Sequence, residues 1–591
     1  MTFLTFCDQL EKIQVVSARL EMTRLLADLF ARLNDEEIEH AVWMTLGRLV
    51  PKFESLEFQV AEKMMIRALS EVVVNDLSQT SVNDSADLFG SVDQTSKIKT
   101  AFSHMGDLGA VAESITSEKK DARELLDVYR ALENIAKESG EGSQERKQHL
   151  LIALLRESAP LSAKYITRIV LGTLRLGFSD MTIIDAFSWM LTGDKSLRDE
   201  LEDAYQRNTD LGKMARALKK EGIEGTRRIN VELGVPLFPA LCQRLKTAEE
   251  MIEKMGTVIT EPKYDGTRVM IHIRKAGKNW KVRTFTRNLE ESSGMFPELL
   301  NEQALNDIRA EEVILDSEAV GYDSVTGALL PFQQTITRKR KHDIAEVSLQ
   351  VPLRFFVFDV LDLNGKSLLK VPLDERKKIL DTVVRDGSVF VKAPVEIVSS
   401  PERLRELHTA YLEQGLEGVV IKQLHSEYQP GRKGFSWVKF KEEEGASGKL
   451  SDTIDAIVMG YYVGQGKRTG FGIGAFLVGI FDEDGSIKTL AKIGTGLVDD
   501  QWREMWTRCE AIRVSEAPQL YDVPKGLTPD VWVTPKIVVE IGADNITTSP
   551  IHTAGVALRF PRLVNFRDDK MIEQATTLIE VQQIQKNQKD G

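Results

Sequence analysis

EPKYDGTRVMIHIR, residues 261–274, decides how the rest of the chain is read. Apolar residues alternate in TVITEPK (257–263), pause at Lys263-Tyr264-Asp265-Gly266, and alternate again from Thr267. A lysine therefore stands at the end of one strand, ahead of an Asp-Gly turn and a second strand. The bland reading is a β-hairpin with a surface lysine, because Asp-Gly is a common hairpin turn. The other reading has Asp265 and Gly266 as turn formers that present Lys263, with a direct chemical role for Asp265 as an equal alternative.

Working outward, short β-branched or aromatic runs recur at WKVRTFT (280–286), EVILDSEAV (312–320), LRFFVFDVLDL (353–363) and GVVIKQ (418–423). Helical stretches lie between them at DERKKILDTVV (374–384) and SPERLRELHTAYLEQG (400–415). This mixture predicts a central α+β domain. Upstream, apolar residues fall at helical intervals in LEMTRLLADLFARL (20–33), SQERKQHLLIALLRE (143–157) and SAKYITRIVLGTLRLGF (162–178). The polar segment SQTSVNDSADLFGSVDQTSK (78–97) reads as a long surface loop. TRRINVELGVPLFPA (226–240) and EEEGASGKLSD (442–452) read as junctions. Beyond the second, TIDAIVMGYYVG (453–464), FGIGAFLVGIFDEDGSIKTLAKIG (471–494) and KIVVEIGADNI (536–546) predict a small all-β barrel. The last ten residues, QQIQKNQKDG, read as frayed.

At 591 residues the chain has room for about three or four domains. Hydrophobic residues at 42% and charged residues at 28% exclude collagen, disordered tails and disulfide mini-scaffolds. The net charge of −12 argues against a uniformly basic coat and leaves local basic grooves open. Cys7, Cys242 and Cys509 are too scattered for a zinc ribbon and fit a reducing, intracellular setting (cytoplasm or nucleoid). The start, MTFLTFCDQLEK, lacks the basic segment of a secretory signal. AFLVGIF (475–481), among the longest apolar runs, is strand-sized, so no membrane span is expected.

Charges recur inside the apolar strands, where they are normally exposed or paired. Asp316 and Glu318 stand two apart and so share a face. Asp316 has the weaker claim, with plain exposure as its alternative. Asp359 reads as a structural group or one that supports a site residue from behind, and Glu417 and Lys422 bracket an apolar strand. GRKGFSWVKFK (431–441) sets Lys439 and Lys441 at period two beside Trp437, with a solvated edge strand as the alternative. In this order KYDG, RTFTRN (283–288), DSEAV, FFVFDVL, EGVVIK and SWVKFK resemble the successive motifs of the covalent nucleotidyltransferase superfamily: DNA ligases, RNA ligases and mRNA capping enzymes. LRFPR (558–562) fits its arginine-bearing barrel motif. RIVLGTLRLGFSD (168–180), PFQQTITRKRK (331–341) and NFRDDK (565–570) extend the resemblance to ATP-dependent DNA ligases of the archaeal and eukaryotic replicative type.

That resemblance implies a multidomain α+β protein. It would comprise an all-α DNA-binding domain (1–228), a nucleotidyltransferase (adenylation) domain of antiparallel sheets and helices (229–444) and an OB-fold β-barrel (445–591). It implies nick sealing in replication, repair and recombination, through adenylation of Lys263 by ATP with Mg²⁺, or Mn²⁺ in its place. An unperturbed lysine has a pKa of about 10.4, so the amine needs help to be neutral. Glu261 would read the adenine amino group and Phe358 would stack on the base. Arg268 and Glu318 would hold the ribose, and Arg283 the ribose or the nick phosphate. Glu318 and Glu417 would bind metal. Lys439 and Lys441 would neutralise the α-phosphate, and Arg559, with Arg562, would orient pyrophosphate. Lys433 holds a place where related ligases often carry arginine, with Arg432 just before it.

Sequence-independent contacts to phosphate are expected from Arg168, Arg175, Arg338 and Lys339, within the basic run RKRK (338–341), whose alternative is a solvated loop. Residues 444–452 are the expected hinge. A monomer on nicked duplex DNA is expected. DQTSKIKTAF (93–102) lacks the spacing of a clean sliding-clamp motif, so the clamp rests on the resemblance alone. A capping enzyme or RNA ligase, and a non-catalytic scaffold on DNA, stand as rival readings. ADP, GTP and NAD stand as rival nucleotides.

Overall fold

The computed structural model describes residues 1–16, 18–80, 90–245, 247–277, 279–330, 351–431, 434–440, 453–464, 466–495 and 497–587. Two compact units are present, Met1–Phe440 and Lys441–Gly591.

Helices from Phe3–Gln14 to Ile223–Arg227 build the start of the first unit. In Arg19–Arg32 the buried residues Met22, Leu26, Leu29 and Phe30 form one apolar stripe, as the helical period requires. Two expectations need correcting. The stretch 162–178 is helical only through Val170. Gly172, Arg175 and Gly177 then take positive φ, and the chain continues without regular secondary structure, with Leu174 and Leu176 buried. The polar segment 78–97 is not one loop. Helices Glu62–Thr80 and Gly90–Met105 take both its ends, and residues 81–89 lie outside the described set. Ile98, inside the segment weighed for clamp binding, is buried in the helical core.

The central region is built on two sheets. The six-stranded sheet runs in the order Asn279–Thr286, Thr267–Ala276, Glu312–Gly321, Leu353–Leu363 and Lys366–Ser367, with Phe390–Lys392 pairing parallel to Leu353–Leu363. The five-stranded sheet runs Gln243–Arg244, Trp437–Phe440, Val419–Gln423, Val258–Pro262 and Glu396–Val398. One parallel pair in each makes both sheets mixed, where antiparallel sheets were expected.

Residues 263–266 carry the chain from one sheet to the other, so the hairpin reading fails. Strand Val258–Pro262 pairs in the five-stranded sheet, and strand Thr267–Ala276 pairs in the six-stranded one. The Lys263 N–H donates to the Gly418 carbonyl (2.9 Å), and the Glu417 N–H donates to the Lys263 carbonyl (3.0 Å). A Cβ on Gly266 would lie 2.5 Å from the Ala319 carbonyl oxygen, so only glycine lets the crossing pass this close to the neighbouring strand.

The junction at 226–240 is packed rather than loose. The Phe238 N–H donates to the Gln206 carbonyl (2.9 Å), Leu237 is fully buried, and Phe53 of the helical region meets Phe285 edge-on.

The second unit holds a strongly curled half-barrel sheet of the kind expected of an OB-fold, centred on Ile454–Val463 and Ile473–Phe481. It is not all-β: helix Asp499–Glu510 buries Trp502, Met505 and Cys509. Of the end expected to fray, the part through Asn587 belongs to helix Leu578–Asn587, and residues 588–591 lie outside the described residues.

Asp359 is structural, as its place in an apolar strand suggests. It is fully buried and receives Arg376 Nε and Nη2 at 2.8 and 2.9 Å. Burial pushes its carboxyl up, and Arg376 outweighs this and holds it below the ordinary range. Asp359→Ala strands a buried guanidinium and is expected to cost about 3–5 kcal/mol. Urea unfolding of the variant should show the earlier midpoint.

Candidate active site

Lys263 projects from the crossing with its Nζ 2.5 Å from Glu417 Oε2, both side chains about one-fifth exposed (22% and 23%). The crossing holds the lysine by its own backbone, and the strand Val419–Gln423 delivers Glu417 just ahead of it. Tyr264 is anchored by stacking on Phe356, ring centroids 4.0 Å apart and 18° from parallel. Glu318 is partly buried on the next strand, paired in register with Arg268. Burial pushes its carboxyl up to about 7, against the pull of Lys263 and Arg268.

Glu261 is 3% exposed, and both its oxygens are engaged. Lys422 Nζ meets Oε2 at 2.7 Å, and Lys377 Nζ donates to Oε1. Phe358 is half-buried, with its ring centroid 6.0 Å from that of Trp437 and Lys422 Nζ 4.5 Å away. Lys439 lies beside Val420 on the neighbouring strand. Arg268, Lys422, Lys263 and Lys439 all pull down the thiol of Cys242, against a larger push upward from burial. Three of these four cations are paired with carboxylates, Lys263 with Glu417, Arg268 with Asp316 and Lys422 with Glu261.

Arg268 is committed to a partner that the sequence ranked low. Its Nε and Nη2 donate to Asp316 at 2.9 and 2.6 Å, and its Nη1 donates to the Ala240 carbonyl at 2.6 Å. Asp316 is fully buried, not exposed, and also accepts from the Tyr428 hydroxyl at 2.7 Å. Arg283 is held by Glu291 (3.2 Å) and the Gly234 carbonyl (2.9 Å), at the seam with the helical region.

Three comparisons bear on this arrangement. Residues 239–441 match the ATP dependent DNA ligase domain, 2–188 the DNA ligase N terminus and 469–570 the ATP dependent DNA ligase C terminal region. The chain is 37% identical to a probable DNA ligase of Dictyoglomus turgidum, over all of this chain and 98% of that one. It is 34% identical to a DNA ligase of Nitrosopumilus maritimus over the same shares. The chain belongs to the ATP-dependent DNA ligase family. The solved structure described as Pmar-Lig_Pre shares the fold at 18% identity, TM-score 0.53, covering 95% of this ligase and 99% of that chain.

The other expected site residues of the ligase are distributed unevenly. Arg168 is 3% exposed and closed off by Asp107 and by Gln14 Oε1 at 2.5 Å. It is thus bound up in the helical core and does not present its guanidinium to a phosphate. Arg175 is exposed at φ +58, with Nη2 on the Gly106 carbonyl (2.5 Å). In the second unit Arg559 ends a strand ahead of Phe560, which is 62% exposed at φ +51, and Arg562 donates to Asp544 at 2.8 Å. Lys433, Lys441, Arg338, Lys339 and the hinge segment 444–452 lie outside the described residues. Sequence reading gave no role to Lys377 or Tyr428; their only signal was polarity near apolar runs.

Among the described residues no group of three or more His, Cys, Asp and Glu side chains forms a metal cage. Mg²⁺ is commonly held by one or two carboxylates together with water and substrate phosphates, so the Glu318–Glu417 pair suits it chemically.

The raised carboxyl of Glu318 carries a stability penalty. A carboxyl at about 7 folded, against 4.5 unfolded, keeps its proton longer in the folded state. Its contribution therefore falls as pH climbs through that window and is fully lost above it. Glu318→Gln is expected to raise the melting temperature at pH 8 with little change at pH 4, while ATP-dependent labelling drops. Thermal unfolding at the two pH values tests this.

Proposed function

We propose that Lys263 is the nucleophile of this ligase and that sealing runs in three steps. The Lys263 amine attacks the α-phosphorus of ATP. An N–P bond forms and the bond to pyrophosphate breaks. Glu417, in contact with Nζ, is the base in place to take the proton. AMP then passes to the 5′-phosphate of a nick, and the 3′-hydroxyl attacks that phosphate and expels AMP. Splitting the reaction in this way avoids direct attack on a poor electrophile. The observation that carries the reading is the Lys263–Glu417 contact on the crossing between the two sheets, with Glu318 on the neighbouring strand.

Around it, Glu261 reads the base, Phe358 packs on it, and Lys439 and Lys441 meet the α-phosphate. Arg268 would release one of its present partners to reach the ribose, with Glu318 beside it, while Arg283 takes the ribose or the nick phosphate. Lys433 holds its family place at the nucleotide. Glu318 and Glu417 would hold Mg²⁺, or Mn²⁺, which supplies charge neutralisation to the phosphates. Arg559, with Arg562, orients pyrophosphate. The working division is 1–228, 229–444 and 445–591, with 444–452 as hinge. Arg175, Arg338 and Lys339 meet phosphates without reading sequence. The protein acts as an intracellular monomer on nicked duplex DNA in replication, repair and recombination, with a sliding clamp as a family-level partner.

Incubation with Mg²⁺ and α-labelled ATP should label the protein. Lys263→Ala should abolish the label, and nicked duplex bearing a 5′-phosphate should chase it as the nick closes. Label that persists in Lys263→Ala overturns the nucleophile assignment.

A further inference from the structure

Lys377 is a partly buried lysine unused by the chemistry above. It lies on helix Leu373–Val383, 11% exposed at its side chain, and its Nζ donates both to Glu261 Oε1 and to the Phe358 carbonyl, the latter at 2.8 Å. Those two partners belong to different sheets. Glu261 is on Val258–Pro262 of the five-stranded sheet, and Phe358 is on Leu353–Leu363 of the six-stranded one. One ammonium thus ties together the two elements that the proposed function gives to the edge and the face of the base.

The charge arrangement sharpens this. Glu261 faces two lysines, Lys377 on one oxygen and Lys422 at 2.7 Å on the other, all three nearly out of water. Lys422 is further fixed between aromatic faces, 4.5 Å from the Phe358 centroid and 4.0 Å from that of Trp437. A lone buried ammonium is expensive, so both lysines hold the carboxylate in one orientation. A carboxylate between two cations offers only lone pairs outward. It can accept from an exocyclic amino group and has no proton for a carbonyl oxygen. Adenine presents an amino group at its six position, and guanine presents a carbonyl there.

We infer that Lys377 is a positioning residue for nucleotide selection: by fixing Glu261 relative to Phe358 it sets the preference of the adenylation step for ATP over GTP. The inference rests on the proposed role of Glu261 as base reader and extends it to a residue that touches no nucleotide.

The test compares self-adenylation of the full-length wild type, Lys377→Met and Lys377→Arg, with Mg²⁺ and α-labelled ATP or GTP. Lys377→Met keeps the chain length and removes the charge. It should raise the apparent KM for ATP about tenfold, the scale of one charge-assisted hydrogen bond, with the maximal rate within about twofold. The ATP-to-GTP preference should fall by a similar factor, and Lys377→Arg should restore most of both. Circular dichroism melting reports folding separately. Unchanged KM and preference in Lys377→Met overturn the inference. So does an equal loss for both nucleotides that tracks a lowered melting temperature, which marks a structural lysine. A wild type that takes no label from ATP overturns the parent reading instead.

Discussion

The chain crosses between two sheets at residues 263–266, and the rest of the site hangs on that crossing. Backbone hydrogen bonds from Lys263 to Gly418 and from Glu417 to Lys263 pin its entry, and Gly266 packs against Ala319 where no side chain fits. Each end of the crossing belongs to a different sheet, so the Lys263 backbone is held from both sides. The same pairing places Glu417 against the Lys263 amine and brings Glu318 in from the third strand.

Three buried carboxylates, each held by cations, brace the crossing. Asp316 binds Arg268 and Tyr428, Asp359 binds Arg376, and Glu261 binds Lys377 and Lys422. Isolated, any of these charges would be costly to bury, and paired they link helix to sheet and sheet to sheet. Glu318 is the exception: burial dominates and its carboxyl rises to about 7.

The second unit follows a similar economy. Asp455 accepts from Arg567 (3.0 Å) and Lys570 (2.5 Å), so the charged tail of the NFRDDK segment braces the curled sheet. Arg559 stands just before Phe560, whose left-handed backbone breaks the strand and leaves its ring exposed.

Local pattern was enough for much of this protein. The short apolar, β-branched runs located the strands of the central region, the period near 3.6 located helices such as Arg19–Arg32, and the ordered motifs of the family resemblance singled out Lys263, Glu318 and Glu417. What it did not determine was which strand pairs with which. The Asp-Gly turn after Lys263 reads locally as a hairpin and becomes a crossing only because its flanking strands find partners more than 50 residues away, at Ala319 and Gly418. Partnering of buried charges was equally invisible. Asp316 read as an exposed alternate and Arg168 as a phosphate ligand, and each is buried against a residue distant in sequence. Periodicity fixes which face a side chain takes, whereas the desolvation that forces a buried charge to find its counter-charge exists only once the chain has packed.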